Sequence, residues 1–284
     1  MNGKICLVTG ADSGLGKVTA LEIAKMGATV VMLCLNLNEG EETLTEIKQK
    51  SENDSVDLMI CDLSSMDSVR KLATDFKAKY KKLHVLINNA GVQLGERTLS
   101  VDGYEYTFAT NFLGHFLLTN LLLDVIKASV PGRIINVSSL AHRLGKINFD
   151  DLHFENRKYD EYPAYCQSKL AIILSTYEWA RRLEETGITV NCLHPGIVRT
   201  NIMRHSKYGQ KSFDLAGDLL LTPEQGAKTT IYLATSSEVE NITGKYFDNK
   251  KEVKSSKKSY DRNLQKKLWG VSEKLTGLEG SNFK

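Results

Sequence analysis

Short apolar runs alternate with longer segments of helical periodicity along most of the chain. Seven of these runs predict strands, at residues 4–9, 29–35, 56–61, 84–88, 133–137, 188–193 and 245–248. Most are apolar on both faces, which is typical of strands in a sheet covered by helices on each side. The alternation predicts a single α/β domain over residues 1–284, with a doubly wound, Rossmann-like parallel sheet and right-handed crossovers.

Two regions interrupt the alternation. Residues 144–162 are rich in charges and aromatic rings, and residues 200–221 have no clear period. Because sites in open α/β sheets lie beyond the carboxyl ends of the strands, both excursions are candidate substrate-facing walls. For residues 144–162 a variable loop without a role is an equal interpretation. The lysine-rich segment 249–259 is interpreted as a solvated basic edge, followed by a short amphipathic helix at 264–275.

Composition narrows the class of partner to small molecules. With 37 Lys+Arg against 34 Asp+Glu, the net charge of +3 is too even for a nucleic acid or an anionic membrane to be the main partner. The apolar run at 5–8 is too short for a signal peptide, and polar residues interrupt the run at 116–126, so we expect a cytoplasmic protein without a membrane span. Five scattered cysteines predict buried free thiols, with neither disulfides nor a metal site.

A glycine-rich turn joins the first predicted strand to a helix. Gly10 would permit the tight turn, Gly14 the close approach of the backbone to a pyrophosphate, and Gly16 the packing of the helix on the strand. The amino end of the helix would then face the anion. The sequence therefore predicts a dinucleotide site at this turn.

The Gly-x3-Gly-x-Gly spacing resembles the short-chain dehydrogenase/reductase superfamily, and later motifs follow in that family's order. They are Asp62-Leu63, Asn88-Asn89-Ala90-Gly91, Asn111, Ser139, Tyr165 with Lys169, and the Pro195-Gly196 turn. The resemblance implies contacts with a nicotinamide dinucleotide from Gly10, Asp12, Ser13, Gly14, Leu15, Gly16, Leu35, Asn36, Asp62, Leu63, Asn89, Ala90, Gly91, Asn111, Tyr165, Lys169, Pro195, Gly196, Val198 and Thr200.

The same resemblance implies a catalytic tetrad of Asn111, Ser139, Tyr165 and Lys169. Tyr165 would exchange a proton with the substrate oxygen, which Ser139 holds, while Asn111 anchors a water that leads to Lys169. A nearby ammonium and the positive nicotinamide ring would favour the phenolate, so we expect the pKa of Tyr165 to fall. Neighbours on a strand face opposite sides, so the sequence leaves Ser138 and Ser139 as alternatives, and the register of the family selects Ser139. We interpret His194 as structural.

The Tyr-x3-Lys pattern occurs twice, which makes its context decisive. Tyr165 and Lys169 lie in a predicted helix, where four residues make about one turn and bring both side chains to one face. Tyr246 and Lys250 lie in a predicted strand and turn, where this alignment fails. We interpret the second pair as chance.

Within the superfamily the chain resembles the retinol dehydrogenase-like branch, through residues 136–142, the insert before Tyr165 and the tail at 268–277. This implies an NAD(P)-dependent carbonyl reductase or alcohol dehydrogenase. The habit of the branch slightly favours NADP(H) over NAD(H). However, the branch usually has Arg where this chain has Leu35, the acidic residue of many NAD enzymes is also missing there, and Ser13 adds no basic group.

Two other classes compete with this interpretation. A non-catalytic NAD(P)-sensing scaffold could use the same fold, but the intact tetrad argues against it. An epimerase or dehydratase would need a larger carboxy-terminal substrate region than follows residue 248. We expect a monomer or a homodimer, and the sequence names neither the substrate nor the direction of the reaction.

Overall fold

One eight-stranded sheet organises the part of the chain that the computed structural model describes, namely residues 1–198 and 220–278 with positions 202, 206 and 217. The strands are β1 (Ile5–Thr9), β2 (Thr29–Cys34), β3 (Val56–Ile60), β4 (Val85–Asn88), β5 (Gly132–Val137), β6 (Ile188–His194), β7 (Tyr246–Asp248) and β8 (Lys251–Val253). Their spatial order is β3-β2-β1-β4-β5-β6-β7-β8. The pairs from β3 to β7 are parallel. The predicted single-domain, doubly wound fold is confirmed, and the seven predicted strands agree within one residue at each end.

Helices cover both faces of the sheet. One face is covered by α1 (Gly14–Lys25), α2 (Leu37–Ser51) and α8 (Pro223–Thr235). The other is covered by α3 (Met66–Lys79), α4 (Tyr106–Phe108), a π-helical segment (Ala109–Leu113), α5 (Gly114–Leu121), α6 (Leu123–Lys127), α7 (Glu161–Arg182) and α9 (Arg262–Leu275). The interior of each layer is apolar, so burial of aliphatic and aromatic side chains on both faces stabilises the central strands.

The segment after β7 contains a strand that the sequence did not reveal. β8 pairs antiparallel with β7 through a turn in which Asn249 and Lys250 both have positive φ, which suits a tight hairpin. All three residues of β8 are exposed, so it has no alternation of apolar and polar positions to read. The prediction of a solvated basic edge holds for β8 but is wrong for Ser255, Ser256 and Ser259, which are buried.

The first predicted excursion, residues 144–162, is more deeply buried than expected. Ile147, Leu152 and Phe154 are buried within residues 144–162, and α7 already begins at Glu161. These side chains have no regular period, which is why the pattern suggested a surface loop. Most of the second predicted excursion, 200–221, lies outside the described residues.

The run at 116–126 is divided between α5 and α6 and is largely buried against the sheet. In the ranges that the structure describes, no helix combines the length and the apolar character that crossing a bilayer requires. All five cysteines are buried and free, as predicted.

An aromatic cluster attaches the predicted carboxy-terminal helix, α9, to the rest of the domain. The ring centroid of Trp269 lies 4.9 Å from that of Phe116 in α5 and 4.6 Å from that of Trp179 in α7, both edge-on. The guanidinium carbon of Arg182 lies 4.0 Å from the Trp269 centroid. Edge-on rings and a stacked cation are favourable arrangements, so α9 is bound firmly over the two helices that carry or follow the tetrad residues.

We expect Trp269→Ala to lower the free energy of unfolding by about 3–5 kcal/mol, because it removes a large buried ring from three partners. Urea unfolding followed by circular dichroism measures the change. Lys266→Ala, on the exposed side of the same helix, is the control and should cost about 0.5 kcal/mol or less. Equal losses in the two variants would contradict the role assigned to the cluster.

Candidate active site

The glycine turn after β1 is held against β2 and β4 by backbone and amide hydrogen bonds. The N–H of Gly10 donates to Leu33 O at 2.8 Å, and the side-chain amide of Asn89 donates to Thr9 O at 2.8 Å. Gly10 and Gly14 have φ of +63° and +52°, which glycine adopts at no steric cost. The turn is therefore fixed in a shape that other residues would strain.

Helix α1 presents a free amino end beside this turn. Ser13, at its N-cap, makes no capping hydrogen bond, and the first turn contains no acidic residue. A Cβ on Gly16 would lie 1.9 Å from Gly10 O, so only glycine permits this close approach. Uncapped N–H groups and the positive end of the helix dipole suit a phosphate, which supports the predicted pyrophosphate site.

A cleft of about 190 Å³ opens at the carboxyl ends of β1–β4, next to the turn. Eleven of the predicted cofactor residues line it: Gly10, Asp12, Ser13, Gly14, Leu15, Leu35, Asp62, Leu63, Asn89, Ala90 and Gly91. The sequence missed seven further lining residues: Leu33, Cys34, Cys61, Val92, Tyr106, Thr110 and Ile202. None of these seven is itself a motif residue, although Val92 and Thr110 lie next to Gly91 and Asn111, so no sequence signal marked them.

Some predicted cofactor contacts lie away from the cleft. The side chain of Asn36 caps α2, accepting from the N–H of Asn38 at 2.9 Å, and it does not line the cleft. Pro195, Gly196 and Val198 follow β6, at the same edge of the sheet but outside the cleft lining. Thr200 lies outside the described residues.

Tyr165 and Lys169 share one face of α7, as predicted. The Lys169 Nζ lies 5.5 Å from the centroid of the Tyr165 ring and donates to Val137 O at 3.1 Å. The Ser139 side chain lies close enough to the Tyr165 phenol to lower the pKa of that phenol in part, and its Oγ accepts a hydrogen bond from Ala141 N at 3.2 Å. The structure thus brings a phenol, a hydroxyl and an ammonium group together at the end of β5.

Burial dominates the pKa values of Tyr165 and Lys169 in the chain alone. Burial raises the pKa of Tyr165 well above its usual value, and the Ser139 hydroxyl offsets this only in part. Burial also lowers the pKa of Lys169 to about 8. The predicted lowering for Tyr165 included the positive nicotinamide ring, so it stays a prediction for the cofactor-bound state; in the chain alone, desolvation of the phenolate is the largest effect.

Asn111 lies in the π-helical segment Ala109–Leu113 and is fully buried. Both atoms of its side-chain amide form hydrogen bonds within the protein. Oδ1 accepts from Val92 N at 2.8 Å, and Nδ2 donates to Val92 O and to Ser168 Oγ, both at 3.0 Å. A Cβ on Gly91 would lie 3.4 Å from Asn111 Oδ1 and 3.5 Å from Lys169 Nζ, so both groups border the same small space. A π-bulge at this position is typical of functional sites.

The two candidate serines, Ser138 and Ser139, have different environments in the structure. The hydroxyl of Ser138 is buried and donates to Lys169 O at 2.8 Å, which ties β5 to α7. Ser139 is partly exposed and faces Tyr165 instead. Ser139, unlike Ser138, thus lies beside Tyr165, and its catalytic role stays a prediction.

Over residues 4–211 the chain matches the family model described as short chain dehydrogenase. The chain belongs to the short-chain dehydrogenase family. It is 42% identical over 288 residues to retinol dehydrogenase 13 of Homo sapiens, with 99% of this chain and 87% of that protein covered. It is 44% identical over 292 residues to retinol dehydrogenase 14 of Mus musculus, with 98% and 87% covered. The predicted branch is confirmed: this short-chain dehydrogenase is an NAD(P)-dependent oxidoreductase acting on alcohols or carbonyls.

Solved structures show the same fold. A crystal structure of an uncharacterised protein from Mycobacterium paratuberculosis superposes with a TM-score of 0.79 at 33% identity, covering 97% of this chain and 94% of the other. The NADP complex of RhlG from Pseudomonas aeruginosa superposes with a TM-score of 0.70 at 26% identity, covering 87% and 94%.

Two histidines support the Ser139 turn of this short-chain dehydrogenase. His142 is fully buried: its Nδ1 lies 2.6 Å from Ser139 O, and its Nε2 accepts from Ser256 N at 3.1 Å. His194 accepts from Leu140 N at 3.2 Å, in line with its structural interpretation. Burial lowers the pKa of His142 to about 4, so at neutral pH it is neutral and holds both backbone partners. Sequence reasoning had given His142 no role, although it ends the branch-specific run 136–142.

We expect Lys169→Met to raise the free energy of unfolding at pH 7 by about 1–3 kcal/mol, because the native chain buries a charge whose pKa falls from 10.5 to about 8. The unfolded chain binds the Lys169 proton more tightly than the native chain does. The gain in the free energy of unfolding is therefore full below pH 8 and disappears as the pH rises towards 10.5.

Urea unfolding between pH 7 and 10 measures the effect. Lys158→Met, at an exposed lysine, is the matched control and should change stability by about 0.5 kcal/mol or less at every pH. Destabilisation by Lys169→Met across the whole range would show that burial of the ammonium carries no penalty.

Proposed function

We propose that Tyr165 is the acid–base group of this dehydrogenase, with Ser139, Lys169 and Asn111 completing its site. The observation that carries the proposal is the convergence of the Tyr165 phenol, the Ser139 hydroxyl and the Lys169 ammonium at the end of β5. A bare Tyr-x3-Lys pair would not suffice. Tyr246 is buried in β7 and Lys250 lies in the following turn, as predicted for the chance pair.

The cleft residues fit a nicotinamide dinucleotide. The uncapped start of α1 and the glycine contact at Gly16 would receive the pyrophosphate, while Asp62, Leu63 and Ala90 would line the adenine side. When bound, the cofactor supplies or accepts the hydride. The chain itself then has only to hold the substrate oxygen and to move one proton.

In reduction, Tyr165 donates its phenol proton to the substrate oxygen, which Ser139 also hydrogen-bonds; in oxidation Tyr165 accepts the proton back. Lys169 is held by Val137 O beside the ring, where its charge stabilises the phenolate that reduction leaves behind. Asn111 fixes the backbone of Val92 through both atoms of its amide and borders the space next to Lys169. A water at that position, contacting Asn111, stays a prediction.

Other details also stay predictions. We propose an apolar alcohol or carbonyl as substrate, because exposed Leu140, Tyr162 and Ile197 each lie within three residues of a predicted site residue, and because the relatives are named retinol dehydrogenases. The slight preference for NADP(H) rests only on the resemblance to the retinol dehydrogenase-like branch. A cytoplasmic location and a monomeric or homodimeric state are proposed on the sequence. The scaffold alternative receives no support from the site.

We expect Tyr165→Phe to lower kcat by about 10³-fold or more while leaving dinucleotide binding nearly unchanged, because only the transferable proton is removed. A panel of aldehydes and ketones, assayed with NADH and with NADPH, identifies a substrate for the wild-type protein. Fluorescence titration of each dinucleotide then measures binding in the variant. Full activity of Tyr165→Phe, or a wild-type protein that turns over no carbonyl in the panel, would contradict the proposed function.

The two serines offer a matched pair of variants. Ser139→Ala should lower kcat by about 10²-fold with little change in stability, because it removes a donor near the reacting oxygen. Ser138→Ala should lower the free energy of unfolding by about 1–2 kcal/mol with most of kcat retained, because its partner is Lys169 O. Steady-state kinetics and urea unfolding of both variants make the comparison. The reverse assignment of the two losses would move the catalytic role to Ser138.

A further inference from the structure

The end of β2 carries no group that would read the adenosine ribose. Short-chain and Rossmann enzymes commonly place an acidic residue there for the 2′-hydroxyl of NAD, or a basic one for the 2′-phosphate of NADP. In this chain Leu35 occupies the position with 56% of its surface exposed. The next side chain, Asn36, is engaged in capping α2 through Asn38 N and Glu39 N. Neither residue can recognise a ribose substituent by charge.

A carboxylate reaches this place from the glycine turn instead. Asp12 lines the cleft together with Cys34, the last residue of β2, and its side chain is close enough to contribute to raising the pKa of the Cys34 thiol. The backbone around Asp12 is held from two sides: Ala11 N donates to Leu33 O at 3.3 Å, and the Thr43 hydroxyl of α2 donates to Asp12 O at 3.0 Å. The backbone at Asp12 is therefore fixed, and its side chain lines the cleft together with Cys34 at the end of β2.

Among the described residues, the charged side chains that line the cleft are all acidic. Within the described residues, Asp12 and Asp62 are the charged side chains that line it, and it has no lysine or arginine. Lys17, in the first turns of α1, is paired with Glu46 of α2 and does not line the cleft. A 2′-phosphate would bring about two further negative charges to a site that offers no cation to pair with them.

We infer that Asp12 takes the ribose-reading position that β2 leaves vacant and makes the chain selective for NAD(H) over NADP(H). The carboxylate accepts a hydrogen bond from a hydroxyl of the adenosine ribose, and the same charge repels a 2′-phosphate. This inference rests on the proposed function, since it requires a dinucleotide in the cleft. It reverses the slight preference that the resemblance to the branch implies, because the arginine expected from that resemblance is replaced by Leu35 in this chain.

Binding of adenosine fragments isolates the ribose from the rest of the cofactor. Isothermal titration calorimetry of the full chain with 5′-AMP and with adenosine 2′,5′-bisphosphate measures how a 2′-phosphate changes affinity. NADH and NADPH are titrated in parallel. We expect each 2′-phosphorylated ligand to bind about tenfold more weakly than its partner, as an unpaired charge beside a carboxylate would require.

Two variants identify the residue responsible. Asp12→Asn keeps the shape of the side chain and removes its charge, so it should reduce the NADH-to-NADPH affinity ratio by about tenfold, mainly by tightening NADPH. Leu35→Arg supplies the missing cation and should bring the ratio below one. Glu39→Gln is the matched control: it removes an equal charge from an exposed position near the tip of β2 and should leave the ratio within about twofold. Thermal unfolding verifies that all three variants fold.

The outcomes separate this inference from the proposed function. Tighter binding of NADPH than NADH by the wild-type chain, or a ratio unchanged by Asp12→Asn, overturns the assignment of Asp12 while the dehydrogenase remains. Absence of binding by both dinucleotides and both fragments contradicts the proposed function itself. If Glu39→Gln changed the NADH-to-NADPH affinity ratio as much as Asp12→Asn, the selectivity would come from the overall negative charge of this surface, and the assignment of Asp12 would be overturned.

Discussion

The hydroxyl of Thr9 joins the three parts of the molecule on which the site depends. It accepts hydrogen bonds from Asn89 N at 2.8 Å and from Ala90 N at 2.9 Å, and its third partner is His115 Nε2 at 2.9 Å. With two donors already present, the Thr9 proton points to Nε2, so the His115 proton lies on Nδ1 and is donated to Asn111 O, 3.0 Å away. Burial lowers the pKa of His115 to about 4, which keeps this arrangement at neutral pH. Strand β1, the turn after β4 and the π-helical segment are thereby held in fixed relation.

The second half of the site follows the same logic around β5. Neutral His142 and His194 hold the backbone on either side of Ser139 and Leu140, while Ser138 ties the strand to α7. Each support is buried and bridges two separate elements, so its loss would leave a buried polar group unpaired. The positions of Ser139 and Leu140 are thus determined by neighbouring buried residues, which is how a rigid scaffold keeps a site preorganised.

The sequence predicted most of the fold because the parallel strands are buried on both faces and bounded by turns. It also placed Tyr165 and Lys169 on one helix face, since that spacing has a single geometric outcome there. β8 was missed because three exposed residues carry no period, and the capping role of Asn36 was missed because a helix cap and a ribose contact need the same residue type. The role of His142 was hidden because its partners are backbone atoms, and that of His115 because Thr9 lies 106 residues away; neither relation leaves a pattern in the sequence. Only the folded chain could separate Ser138 from Ser139.

Lys169 shows why the site cannot be optimised for stability alone. Its Nζ is enclosed with one protein acceptor, Val137 O, and its pKa of about 8 means that the native chain at neutral pH pays to keep it charged. That same enclosure raises the pKa of Tyr165 and keeps the proton on the phenol until a positive partner arrives. A positively charged nicotinamide ring would therefore favour the phenolate when oxidation needs a base, whereas its uncharged reduced form would leave the phenol protonated when reduction needs an acid. The electrostatics of the site would thus couple the protonation of Tyr165 to the redox state of a bound nicotinamide.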